Sequence, residues 1–324
     1  MAHRRIDFRG ADFAALADLW NRFYPPKFAL DADLLRQNTV GSPLFDWGAS
    51  SIMVDGDRPT AFVAIKKSAA RLYKGPDPDE AHLTALAYDE SSDAVDLLGF
   101  SKSLLRNRGA SRLAFGRDSR HFFPGCPEEV GAICGFLTVE AFDKSRETFD
   151  LTRDLSDYVN PAKPVDKGEF RRLRPEDRTS MNRFFQRSFP HRWAYDVAEK
   201  IAVDGIEASV FGLLLDGEVQ GFALLQDWTH SLCIGGAVWR AGLGENWGSL
   251  GPIGIAESIR KQGLGDALLG AALEDLKARG VRRCIIDWTG LVDFYGRHGF
   301  NVENTYRYSQ LSLEPGSGEL PSEP

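Results

Sequence analysis

Hydrophobic and polar positions run along this chain in two passes of one rhythm. In the first pass Ile6-Asp7-Phe8 predicts a short strand. From Asp12 to Phe23 the residues Phe13, Leu16, Leu19, Trp20 and Phe23 share one helical face, and Pro25-Pro26 stops the helix. Asp31 to Gln37 predicts a second, shorter helix. Ser51 to Val54 and Pro59 to Ile65 are apolar runs separated by Asp55-Gly56-Asp57-Arg58, the pattern of a hairpin turning over Asp-Gly. Ala81 to Tyr88 predicts a strand, Ala94 to Arg108 a helix stopped by Gly109, and Arg112 to Gly116 another strand.

The second pass repeats that order. Phe170 to Leu173 predicts a strand and Pro175 to Phe189 a helix; Val210 to Leu215 and Glu218 to Leu225 form a second hairpin over Asp216-Gly217. Gly251 to Ala256 is a short apolar strand. A helix running through Leu276 follows, with Leu264, Leu268, Ala271, Ala272 and Leu276 on one stripe; Lys277 and Arg279 fall in its last turn and Gly280 just past it. Arg283 to Trp288 is the next strand. A repeated arrangement of this length predicts duplicated domains. The boundaries read as a first domain over 1–158, a linker over 159–168 broken by Pro161 and Pro164, a second domain over 169–313, and a Pro-, Gly-, Ser- and Glu-rich tail over 314–324 expected to be disordered.

Composition adds exclusions. With 43% apolar and 26% charged residues, each half can build a core. The net charge of −7 argues against nucleic acid as a partner and gives no attraction to anionic membranes. No apolar run reaches membrane-spanning length, and Met1-Ala2-His3-Arg4-Arg5 has no signal-type apolar core behind it, so a cytoplasmic protein is expected. Cys126, Cys134, Cys233 and Cys284 show no metal-type pairing; reduced buried thiols and no metal site are the expectation.

The candidate chemistry begins at Arg260-Lys261-Gln262-Gly263-Leu264-Gly265-Asp266, which opens onto the long helix. The first N–H groups of a helix lack internal partners and carry partial positive charge. Glycines let an anion approach them, and Arg260 and Lys261 add mobile charge, so the turn can cradle a phosphate or pyrophosphate. The bland alternative is a tight strand–helix turn with surface charges. A nucleotide P-loop requires Gly-Lys-Ser/Thr, but Gly265 is followed by Asp266; a dinucleotide fingerprint requires a third glycine where Leu268 stands.

Arg260-x-x-Gly263-x-Gly265 after an apolar strand resembles the acetyl-CoA motif of the GNAT N-acetyltransferase superfamily. Phe294-Tyr295-Gly296-Arg297-His298-Gly299-Phe300 is similar to its Tyr-x-x-x-Gly-Phe segment. The two occur in the expected order, and the resemblance covers about the last half of the chain. It implies an α/β (α+β) architecture of two tandem GNAT-like domains, each a mixed, mostly antiparallel sheet flanked by helices. Gly251-Pro252-Ile253-Gly254-Ile255 with Asp287-Trp288-Thr289 also resembles a bacterial two-domain subgroup associated with amino-sugar metabolism.

By this resemblance Ile253, Gly254 and Ile255 offer backbone groups to the pantetheine arm of acetyl-CoA. Arg260, Lys261, Gln262, Gly263, Leu264, Gly265 and Asp266 hold its pyrophosphate, and Tyr295 lies near the sulfur as general acid. Gly254 either lets the cofactor approach or packs under a neighbour. Many family members carry a glutamate base near the position of Ser249; here Glu245, Asp287 or a chain of waters could serve instead. His230 reads as a surface residue and His298 as a turn residue. Trp193, Trp228, Trp239, Trp247 and Trp288 all fall in the second half, where aromatics can flank a cleft.

The first half departs from the motif. It has Tyr88-Asp89-Glu90-Ser91-Ser92-Asp93-Ala94 in place of the cradle and Gly135 to Phe142 in place of the tyrosine segment, so it reads as a degenerate copy that shapes or covers the substrate pocket. The reading as a whole is an N-acetyltransferase acting by direct attack on a small-molecule primary amine, an amino sugar or amino acid. A non-catalytic acyl-CoA-binding or sensory module is the alternative. Two fused copies favour a monomer over a homodimer.

Overall fold

The computed structural model describes residues 3–68 and 79–314. The first half contains strands β1 (Arg4–Ile6), β2 (Ser51–Asp55), β3 (Arg58–Lys67), β4 (Glu80–Tyr88), β5 (Arg112–Phe115), β6 (Cys126–Pro127) and β7 (Asp143–Asp154). Its helices are α1 (Phe13–Phe23), α2 (Ala32–Asn38), α3 (Ser91–Asn107) and α4 (Gly131–Val139). The second half contains β8 (Glu169–Arg172), β9 (Val210–Leu215), β10 (Glu218–Asp227), β11 (Trp247–Ile255), β12 (Arg283–Thr289) and β13 (Asn301–Ser312). Its helices are α5 (Arg178–Ser188), α6 (Arg192–Asp204), α7 (Ile206–Ser209), α8 (Arg240–Leu243), α9 (Leu264–Ala278) and α10 (Val292–Gly296).

Local chemistry sets the boundaries. Asp12 and Asp31 cap α1 and α2 by accepting from backbone N–H groups of the first turn. Asp7 does the same for Arg9 N at 2.7 Å. This bends Phe8–Gly10 into a short 3₁₀ turn, so the first strand is Arg4–Ile6 rather than Ile6 to Phe8. Asp216 and Gly217 both take positive φ, 49° and 77°, the geometry that a two-residue hairpin needs. The region 159–168 carries neither helix nor strand; of the tail expected from 314, residues 315–324 lie outside the described residues.

The thirteen strands of the described residues belong to one sheet, ordered β1-β2-β3-β4-β5-β13-β7-β12-β11-β10-β9-β8, with β6 pairing on β13. Among the described residues only β4–β5 and β11–β12 are parallel pairs. The halves are joined by a reciprocal exchange. The last strand of the second half, β13, runs between β5 and β7, and the last strand of the first half, β7, runs between β12 and β13. Each strand buries its apolar residues in the other half's core: Leu151 of β7 packs with Leu250 and Leu268, and Tyr306 of β13 packs with Phe115 and Phe123. The hydrophobic effect therefore favours the exchanged pairing.

Trp20, Phe62, Phe122 and Phe123 anchor the first core; α9 buries Leu264, Leu268, Leu269, Ala272, Leu273 and Leu276 in the second. Asp275, the polar position on that helix's apolar stripe, pairs with Arg172 at 2.6 Å. The cysteines are free, with Cys126 and Cys134 Sγ 2.6 Å apart. Among the described residues no helix is long and apolar enough to cross a membrane.

Candidate active site

A gap in the sheet creates the site. β11 pairs with β12 only from Trp247 to Ser249, while its pairing with β10 continues to Ile255. Beyond Ser249 one edge of β11 faces no strand, and Gly251 to Ile255 are half-exposed. The free backbone groups along that edge can bond an extended ligand as a missing strand would.

The first half has the same divergence, since β4 pairs with β5 only from Glu80 to Leu83. There the chain fills it. Thr84 to Ala87 are buried, and Tyr24 donates from its hydroxyl to the Leu86 carbonyl at 3.0 Å. Asp89 is paired with Arg22 and Arg58, while buried Asp93 accepts from Thr60 Oγ1 at 2.5 Å. Acids stand where the second half has its cradle.

In that cradle Gly263 takes φ 79° as the residue preceding α9. Ala267 N makes the first backbone bond into the helix, to Gly263 O at 3.0 Å; among the described residues the N–H groups of 264–266 have no backbone acceptor. Arg260 and Lys261 are exposed and make no ion pair among the described residues. Gln262 is held by Lys167 at 2.8 Å. Asp266 contributes its N–H while its carboxylate is drawn to Arg297 and His298, at 3.3 and 3.2 Å. His298 is itself buried against Tyr158, whose hydroxyl is 2.8 Å from Nδ1. These unpartnered donors and cations fit a pyrophosphate.

At the mouth of the gap lies a cavity of about 380 Å³ lined by residues from both halves, among them His121, Arg192, Trp193, Asp287, Trp288 and Tyr295. Asp287 is aimed into it by a β-bulge. Ile286 pairs with Leu151 and Thr289 with Phe149, so Asp287 and Trp288 together oppose the single residue Asp150. Trp288 takes φ 46°, rare for a bulky residue, and its N–H is held by Asp150 Oδ1 at 3.1 Å. Burial and the nearby Asp287 charge push the Asp150 carboxyl up to about 7, against hydrogen bonds from Tyr306, Trp288 and Asn304. Tyr295 is 5% exposed, and burial and Asp287 push its phenol well above its ordinary value, with a Thr289 hydrogen bond opposing them. Its proton is therefore in place at neutral pH.

The arginines of this cavity are committed. Arg120 donates to Glu199 at 3.2 Å and to the Gly41 carbonyl at 2.9 Å. Arg192 donates to Asp196 at 3.1 Å and to the Arg117 and Asp118 carbonyls, and its guanidinium lies 4.6 Å over the Trp288 ring. Both brace loop 116–123, which follows β5.

Asp287, Tyr295 and Ile253 thus line one cavity, and the turn from Arg260 to Asp266 follows the open edge of β11 in the chain. Glu245 does not join the cavity. It is exposed in the turn before β11, and about 3.3 Å of strand rise per residue puts it roughly 20 Å from Gly251. Gly254 serves packing: a Cβ there would lie 2.7 Å from Phe189 Cζ and 3.0 Å from Trp193 Cζ3. His230 is buried rather than on the surface, bonded between Asp227 and the Ala208 carbonyl. Sequence reasoning missed His121, Arg120, Arg192, Asp196 and Asp150. The first two lie in a loop with no local signature, and Asp150 acts only through strand exchange.

Residues 175–300 match the acetyltransferase (GNAT) family. No curated protein matches the chain. Three solved structures share its fold at low identity. One is described as a GCN5-related glucosamine N-acetyltransferase region of a fungal multi-domain GH3 β-N-acetylglucosaminidase: 22% identity, TM-score 0.80, covering 96% of this chain and 38% of that longer one. Another is a GCN5-related N-acetyltransferase from Sphaerobacter thermophilus: 14% identity, TM-score 0.71, covering 97% and 96%. The third is a tandem GNAT protein from the clavulanic acid biosynthesis pathway: 14% identity, TM-score 0.66, covering 98% and 100%. This chain therefore carries, in its second half, an acetyltransferase domain of the GNAT family.

Proposed function

We propose that the protein transfers the acetyl group of acetyl-CoA to the primary amine of a small hydroxylated molecule, an amino sugar in preference to an amino acid. The observation that carries this is the convergence of Asp287 and Tyr295 on one cavity at the open edge of β11. Acetyl-CoA, when bound, supplies a thioester whose carbonyl carbon takes the amine and whose thiolate leaves. The edge of β11 from Gly251 to Ile255 holds the pantetheine arm and polarises the carbonyl; Arg260, Lys261 and the N–H groups of 264–266 hold the pyrophosphate.

Asp287 attracts the acceptor's ammonium into the cavity. The ammonium first gives one proton to water; the neutral amine then attacks directly, and Asp287 takes the second proton that nitrogen loses as the C–N bond forms. Tyr295 gives its phenolic proton to the sulfur as the C–S bond breaks, then regains one from water. Asp287 releases its proton to water, so each turnover yields the amide, a thiol and one proton. A carboxylate from the neighbouring strand thus stands in for the glutamate absent at Ser249, which favours an enzyme over a binding-only module. Preference for an amino sugar rests on the committed arginines, which leave an amino acid's carboxylate without a cation, and on Trp193 and Trp288 as stacking walls. The glucosamine N-acetyltransferase region with the same fold supports that preference. Internal pairing of β7 with β13 supports a monomer.

Calorimetric titration with acetyl-CoA, followed by thiol release against amino sugars, amino acids and polyamines, tests the reading. One site per chain and turnover on an amino sugar are expected. Tyr295→Phe should lower kcat at least about 10-fold with acetyl-CoA affinity unchanged. Gly263→Asp, which adds a side chain at positive φ and a negative charge to the cradle, should abolish binding. Binding retained in Gly263→Asp would refute the placement of the pyrophosphate, and two sites per chain would refute a closed first half.

A further inference from the structure

We propose that His121, a residue of the first half, is a positioning residue for Asp287, so that both halves build the acceptor site. The inference rests on the reading of Asp287 as the group that takes the amine's proton. His121 Nε2 lies 3.4 Å from Asp287 Oδ2, with the two side chains 6% and 13% exposed. The other ring nitrogen, Nδ1, lies 3.1 Å from Arg192 Nη2. A guanidinium only donates, so Nδ1 accepts and the ring proton of the neutral imidazole sits on Nε2, facing the carboxylate. The ring also stands edge-on to Trp288, centroids 4.9 Å apart.

The other carboxylate oxygen is left room. A Cβ at Gly235 would lie 3.0 Å from Asp287 Oδ1 and 3.1 Å from Oδ2, and one at Gly251 would lie 3.5 Å from Oδ1. The two glycines thus leave the carboxylate room on the cavity side, Gly251 beside Oδ1, while Oδ2 rests against His121. A carboxylate fixed through one oxygen presents the other in a set direction, which shortens the search for a proton-transfer geometry.

The loop carrying His121 is fixed from the first half. Lys66 Nζ is 2.6 Å from Asp118 Oδ2 in a pair 0% and 1% exposed, and it also donates to the Ser119 and Arg120 carbonyls. Thr84 Oγ1 donates to Asp118 at 2.8 Å, and His82 Nδ1 lies 3.0 Å from the Gly116 carbonyl. In a half whose own groove is filled, these buried polar groups have one visible output, the placement of loop 116–123.

The charged and titratable groups facing the imidazole are Asp287 from β12, Arg192 from α6 and Asp118 from its own loop. Asp287 is faced in addition by Asp150 from β7 and Tyr295 from α10.

The test compares His121→Phe, which has no donor, with His121→Gln, whose amide N–H can occupy the place of Nε2–H. D-glucosamine and acetyl-CoA are the probes. His121→Phe should lower kcat by about 10- to 100-fold, the cost of letting a reacting group leave its set geometry, with acetyl-CoA affinity by calorimetry unchanged. His121→Gln should recover to within about 5-fold of wild type. Nitrogen-15 NMR of the resting protein should show His121 as the Nε2–H tautomer, and Asp287→Asn should move its Nε2 resonance by removing the facing carboxylate. Wild-type kcat in His121→Phe overturns the proposal, as does a Gln variant no better than Phe when both bind acetyl-CoA. An Nδ1–H tautomer, or an Nε2 resonance indifferent to Asp287→Asn, overturns it without any turnover being needed. A wild-type protein that acetylates no amine, or an Asp287→Asn variant with full turnover, refutes instead the underlying assignment of Asp287.

Discussion

Replacing Lys66 with methionine separates what the first half does for stability from what it does for the site. The substitution leaves the Asp118 carboxylate buried without its counter-charge and removes the donor from the Ser119 and Arg120 carbonyls. Breaking one side of a buried pair costs about 3–5 kcal/mol. At about 2.1 cal/mol/K of unfolding entropy per residue, 324 residues unfolding as one unit lose roughly 1 °C of Tm per 0.7 kcal/mol. Lys66→Met should therefore lower Tm by about 4–7 °C in a calorimetric scan. Burial alone would raise the Asp118 carboxyl, but the charges of Lys66 and His82 outweigh it and hold it at about 2. A depressed carboxyl contributes its stability above the unfolded value of about 3.9 and loses it as pH falls toward 2. The Tm difference should thus be full at neutral pH and fade in acid. In Lys66→Met/Asp118→Leu no charge is left unpaired, and stability should return to within about 2 kcal/mol of wild type. The loop stays untethered, however, so kcat for thiol release should remain about 10- to 100-fold down. An unchanged Tm in the single variant, or wild-type kcat in the double, would refute the clamp.

Asp150 and Gly254 give two further tests. Burial and Asp287 hold the Asp150 carboxyl at about 7; a raised carboxyl contributes stability that is full below about 3.9 and lost as pH rises through the folded value. Asp150→Asn keeps an acceptor for Trp288 N, so its Tm advantage over wild type should grow from about pH 4 to about pH 7 and then level off; an advantage that shrinks over that window contradicts the assignment. Gly254→Ala must displace the Phe189 and Trp193 rings, whose atoms lie 2.7–3.0 Å from the added Cβ. Such overpacking costs about 1–3 kcal/mol, read by urea unfolding, and no loss of stability would mean that those rings do not rest on Gly254.

Much of the fold was legible because its signals are local. Gly56 and Gly217 mark the hairpins, and the stripe from Leu264 to Leu276 marks α9. The turn from Arg260 to Asp266 was legible as a helix start for the same reason: glycines, cations and the first helical residues are adjacent in the chain. What stayed hidden depends on distant pairing. Nothing within Asp143–Asp154 says that the strand will lie against Arg283–Thr289, since its neighbour is selected by the core that receives Leu151. The same holds for β13. His121 belongs with Asp287 only because the halves meet, and a histidine between Arg120 and Phe122 carries no mark of that. Glu245 looked plausible for the opposite reason: it is close to β11 in sequence but stands at the wrong end of the strand.

The exchange of terminal strands also has a consequence in time. During synthesis the first half emerges complete in sequence but lacks the strand that belongs beside β5, and β7 has no β12 to lie against. Both places stay open until Asn301–Ser312, the last of the described strands in chain order, is free to enter. Completion of either half thus waits on contacts between residues more than a hundred positions apart, the long-range closure that makes folding slow. The same interdependence protects the filled half from loss. A gene that shed residues 1–158 would also strip β7 from the sheet between β12 and β13, so the first half persists as a structural creditor of the second.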